Sequence, residues 1–131
     1  MYYARLAAAA GAILLLAACA ERDVVVEEAP IRIVSEQEGY GKVAREGDMV
    51  TIEYDVRLPD GTIVLSEDEY YFTIGAGSII QGVDEAVVGM RKGGVRRIDC
   101  PPNRHWGRKG YGEKIPPNTR LDITIKLHDV S

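Results

Sequence analysis

Only two histidines, two cysteines, one tryptophan and one phenylalanine occur among the 131 residues of this chain. His105 and His128 have no ligand spacing with each other or with a cysteine, so no metal site is predicted. Cys19 and Cys100 are too few for a disulfide framework. No Ser-His-Asp set or carboxylate pair stands out. Gly75-Ala76-Gly77 lacks the third glycine and the strand–helix–strand setting of a dinucleotide fingerprint, and reads as a turn. No cofactor is predicted. Positive charge is not in excess: 16 basic residues face 20 acidic ones, a formal net charge of −4, which argues against nucleic acid as the main partner. Leu6 to Ala18 is wholly apolar or small but too short to span a bilayer comfortably as a helix.

What that run does fit is a secretory signal. Arg5 is the only charge before Glu21, the apolar core follows it, and small residues close it. The ending, Leu16-Ala17-Ala18-Cys19, resembles the lipobox of bacterial lipoproteins. That resemblance implies a signal peptide over residues 1–18 and lipidation of Cys19. It also implies residence in the bacterial cell envelope, at the outer membrane facing the periplasm if the source is didermic. The plainer alternative is an ordinary cleaved signal that happens to contain a cysteine. Residues 19–30 are then the lipidated cysteine and a charged tether ending at Pro30, reaching about 20 Å if flexible. Several acyl chains on one residue give stable attachment, where one alone is marginal.

Beyond Pro30 the pattern is mostly strand. Ile31 to Ser35 begins one. Val50, Ile52, Tyr54, Val56 and Leu58 alternate with polar residues, the mark of a half-buried strand. Pro59-Asp60-Gly61 makes a hairpin turn, and Thr62 to Leu65 returns. Glu67-Asp68-Glu69 reads as an exposed acidic loop, followed by another strand over Tyr70 to Ile74. One short helix is expected where Val83, Ala86, Val87 and Met90 recur at helical spacing, with Asp84 and Glu85 near its start. Cys100 alternates with Arg96 and Ile98 and reads as a buried, inert strand cysteine. Leu121 to Leu127 is a final alternating strand. Charge is uneven: residues 21–69 hold 14 acids and 5 bases, and residues 91–114 hold 8 bases and 2 acids. Two solvated surfaces explain this, and the sharper alternative is a basic rim attracting acidic segments or anionic headgroups. Many strands and one short helix give an α+β class, an antiparallel sheet packed on that helix.

One ordered run adds to this. Ile79-Ile80-Gln81-Gly82 leads to Gly89-Met90-Arg91-Lys92-Gly93-Gly94. Then come Arg96-Arg97-Ile98, Pro101-Pro102, Trp106-Gly107, Ile115-Pro116-Pro117-Asn118-Thr119 and the last strand. The pattern resembles the FKBP-type peptidyl-prolyl cis-trans isomerases over residues 31–131. The resemblance implies a curved, half-open antiparallel β-sheet wrapped around one short α-helix. It implies a monomer acting on proline-containing segments of unfolded or partly folded envelope proteins, with no metal, no cofactor and no acid/base catalytic residue.

It also implies a substrate pocket. Tyr54, Ile79, Ile80 and Ile115 match the family pattern, and the backbone N–H of Ile80 is the expected donor to a ligand carbonyl. Tyr70 stands in place of phenylalanine, Trp106 in place of a tyrosine, and Tyr111 at a position often held by histidine. Val64, Val83 and Ile123 replace aromatic residues, and Leu65 replaces an aspartate. These changes imply slower or altered catalysis. The alternative function is a non-catalytic FKBP-like binding or chaperone module anchored to the membrane, and a weaker one is a structural envelope lipoprotein. Taken singly, Tyr54, Ile80, Val83 and Ile123 also fit plain core packing.

Overall fold

A computed structural model describes residues 29–107 and 110–131. The expectations for the signal, Cys19 and most of the tether fall outside these residues. The strands are β1 (Arg32–Gln37), β2 (Tyr40–Val43), β3 (Met49–Arg57), β4 (Ile63–Thr73), β5 (Arg91–Lys92), β6 (Val95–Cys100) and β7 (Leu121–Val130). The helix α1 (Gln81–Val87) lies between β4 and β5, and a 3₁₀ turn, Pro102–Arg104, follows β6. Five strands form one antiparallel sheet in the order β1-β6-β7-β3-β4, with both edges open, and β2 pairs with β5 in a separate ribbon.

Period-two alternation decides which face is buried. Val50, Ile52, Tyr54 and Val56 of β3 are buried, and so are Leu121, Ile123, Ile125 and Leu127 of β7. Register sets these rows side by side, with Ile52 opposite Leu127, Tyr54 opposite Ile125 and Val56 opposite Ile123. Helix α1 covers this face through Val83, Ala86 and Val87. It approaches closely because residue 82 is glycine: a Cβ there would collide with Cys100 Sγ. Cys100 is a buried free thiol, pushed up to about 12 by burial and then by the nearby Asp99 and Glu85 carboxylates. It is therefore protonated and inert at neutral pH.

Arg96 ties the far end of the helix to the sheet. Its guanidinium donates to the carbonyls of Ala86 (2.6 Å) and Val88 (3.0 Å), and to Glu36 Oε1 (2.7 Å). Helix carbonyls that α1 leaves open at its C-terminus are thus satisfied by a cation from β6.

One element differs from expectation. Glu67-Asp68-Glu69 is not a loop, because β4 runs unbroken from Ile63 to Thr73. It is an edge strand, and charged side chains on an edge discourage pairing with other chains. The strand carries a bulge in its pairing with β3 between Ile52 and Tyr54.

Candidate functional site: an aromatic groove at the helix entry

Between the end of β4 and the start of α1, residues 74–80 form a bent connection pinned at two points. The Asp84 carboxylate accepts the Gly75 N–H (2.9 and 3.2 Å), and the Tyr70 hydroxyl donates to the Ser78 carbonyl (2.9 Å). Gly75 has φ of +89°, a conformation that side chains disfavour. These anchors place Ile79 and Ile80 beside the sheet. Ile80 is the N-cap residue, its carbonyl accepting from Val83 and Asp84. Among the described residues its own N–H bonds to no acceptor.

The opposite wall comes from the loop after β6. Trp106 is half-buried and stacks on Tyr111, with ring centroids 4.7 Å apart and planes at 27°. His105 fixes the backbone there. Its Nδ1 accepts the Trp106 N–H (2.7 Å) and its Nε2 meets the Thr119 carbonyl (2.6 Å). A neutral imidazole protonated on Nε2 satisfies both, and burial holds His105 below its usual value.

Between these walls lies a groove of about 440 Å³, lined by Tyr54, Leu65, Glu67, Tyr70, Gly77, Ser78, Ile79, Ile80, Trp106 and Tyr111. That volume suits a short peptide segment or small molecule. Tyr54 and Tyr70 meet edge to face at 5.9 Å. The Tyr54 phenol is raised to about 12, first by burial, then by the charge of Glu67 and by Tyr70 and Tyr111. It therefore remains a neutral donor, and no acceptor among the described residues meets it.

Seven of the eleven residues expected at the pocket line this groove: Tyr54, Leu65, Tyr70, Ile79, Ile80, Trp106 and Tyr111. The other four lie elsewhere. Val83, Ile115 and Ile123 are buried in the core, and Val64 packs against it half-exposed. The short aliphatic side chains of Val83, Ile115 and Ile123 end in the core and do not line the groove, and Val64 sits at the core's partly exposed margin. Glu67, Gly77 and Ser78 line the groove without having been expected there. Glu67 was hidden by the reading of its neighbourhood as a loop. The backbone positions of Gly77 and Ser78 carry no side-chain signal of their own.

Among the described residues, an open antiparallel sheet, one short helix and an aromatic groove without a paired acid and base define a class of small α+β domain. A model of the FKBP-type peptidyl-prolyl cis-trans isomerases matches residues 41–128, and the chain belongs to that family. It is 38% identical over 88 residues to FK506-binding protein 2 of Yarrowia lipolytica, covering 64% of this chain and 61% of that protein. It is 36% identical over 95 residues to the FK506-binding protein of Neisseria meningitidis serogroup A, covering 70% and 87%. A crystal structure of a peptidyl-prolyl cis-trans isomerase from Pseudomonas syringae pv. tomato superposes with a TM-score of 0.66 at 29% identity, covering 77% of this chain and 74% of that one. Against several of its curated relatives the chain spans less than two thirds of their length.

Proposed function

We propose that this chain is a peptidyl-prolyl cis-trans isomerase that assists the folding of bacterial envelope proteins, tethered to the membrane by a lipidated Cys19. The observation that carries the catalytic part is the groove itself: an aromatic-walled site with an open backbone donor at Ile80 among the described residues. Rotation about an X–Pro bond crosses a barrier of roughly 18–20 kcal/mol set by amide resonance. No bond breaks and no proton moves. As the amide twists, its nitrogen becomes amine-like and its carbonyl less polar, so a dry site favours the transition state over the planar ground state. The Ile80 N–H, the Tyr54 hydroxyl and the Trp106 indole N–H are the donors available to hold the client's carbonyls during rotation.

A tether of the sequence length between Cys19 and Pro30 would keep such a domain near the membrane surface, where slow proline steps limit newly exported chains. The second reading is a binding or chaperone module on the same scaffold, anchored in the same way. It is favoured by Leu65, which lines the groove with Tyr54 where the family pattern has an aspartate, and which leaves the phenol without an acceptor among the described residues.

Proline-limited refolding of a model protein separates the two. The full chain at micromolar concentration is expected to speed the slow phase; an unchanged slow phase alongside a Trp106 fluorescence response to a proline peptide would select the binding module. The mass of the mature chain tests lipidation at Cys19.

A further inference from the structure

The bulge in β4 has a chemical effect at the groove. Pairing runs Phe72 with Val50 and Tyr70 with Ile52, then jumps to Glu67 with Tyr54 and Leu65 with Val56. Three residues of β4 thus advance against two of β3. Without the extra residue, strict alternation from Tyr70 would place residue 68 on the concave face. With it, Glu67 takes that phase and Asp68 goes to the outer face, where it shares a hollow with Glu53, Asp55 and Lys126. The bulge therefore carries one carboxylate into a groove that is otherwise aromatic and aliphatic.

Its backbone pairs with Tyr54, but among the described residues the Glu67 carboxylate makes no ion pair or hydrogen bond, and no described lysine or arginine lines the groove. Its charge reaches the groove interior, since it helps to hold up the Tyr54 phenol. A cationic side chain entering beside it gains twice, from the carboxylate and from the faces of Trp106 and Tyr111. An acidic side chain is repelled by the same group.

We propose that Glu67 is a specificity-determining residue that makes the groove prefer client segments with lysine or arginine next to the proline. This rests on the reading of the groove as a prolyl site, and it names the class of segment that site takes. Leu65 beside Glu67 receives the aliphatic stem of such a side chain, leaving its charged end at the rim.

The test uses the full chain and matched proline peptides bearing lysine, norleucine or glutamate at each position flanking the proline. Isomerisation is followed by exchange NMR, and binding by the fluorescence of Trp106, the chain's one tryptophan. At one flanking position the lysine peptide is expected to exceed its norleucine partner by about two- to fivefold in kcat/KM and in affinity, the range of an exposed ion pair. The glutamate peptide is expected to fall below both. Glu67→Gln, or 0.5 M salt, is expected to bring the ratios close to one. Equal values for lysine and norleucine overturn the proposal, as does a lysine preference that survives Glu67→Gln. If no peptide is isomerised, the isomerase reading fails by itself, and the binding ratios still decide the role of Glu67.

Discussion

His105 accepts the backbone N–H of Trp106 on Nδ1 at 2.7 Å, so an imidazole sets the position of the groove's largest aromatic ring. The arrangement requires a neutral ring, because a proton on Nδ1 would face another donor. Burial lowers the His105 value below the usual 6.5, although its bond to the Thr119 carbonyl works the other way. A lowered folded value means that the unfolded chain binds the proton more readily. Stability from this contact is therefore complete above about pH 6.5 and is lost as pH falls toward the folded value. NMR titration of His105 should give a midpoint below 6.5, with Trp106 emission changing over the same range. A midpoint at or above 6.5 would remove the contact as a pH-dependent device.

Ile80→Asp should weaken peptide binding and isomerisation while leaving the domain folded. Aspartate is a favoured N-cap residue, so the start of α1 tolerates it. In the groove, however, it places a second carboxylate among apolar and aromatic groups. A loss of about tenfold or more in kcat/KM is expected, with an unchanged circular dichroism spectrum. Full activity in this variant would move the site elsewhere.

Arg96→Met should destabilise the fold by about 2–3 kcal/mol, the range for losing hydrogen bonds made by a charged group. The carbonyls of Ala86 and Val88 lose their shared donor, and Glu36 loses its partner. Urea unfolding measures this. A variant as stable as the parent would show that α1 needs no tie to β6.

Gly82→Ala tests the closest approach of helix and sheet. The new methyl meets Cys100 Sγ, and overpacking of this kind costs about 1–3 kcal/mol. Cys100→Ala in the same chain should recover part of that loss, because removing the sulfur opens the needed space. A double-mutant cycle with no coupling would contradict the contact.

Much of this was legible in the residues. The alternation of β3 and β7 marked two of the three interior strands, because one face of each is covered and the other wet. The spacing of Val83, Ala86 and Val87 located α1; Met90 fits the same period but lies beyond its end, buried as the chain turns into β5. Three acids in a row concealed the middle of β4. An edge strand has no neighbour on one side and so need not show apolar alternation, and a bulge breaks the period of two. The same two effects hid Glu67 from the groove. The placing of Val83 and Ile123 below the groove surface was hidden for a different reason, since side-chain reach depends on how closely helix and sheet approach.

That close approach also gives Cys100 a use as an internal clock. With Gly82 lying over it and its thiol kept protonated, the sulfur can meet a reagent only when α1 lifts from the sheet. The rate at which a thiol-reactive dye labels Cys100 in the folded chain, read separately from any labelling of Cys19, thus counts helix openings. Compared with the same rate in the presence of a proline peptide, it reports whether an occupied groove holds the helix down.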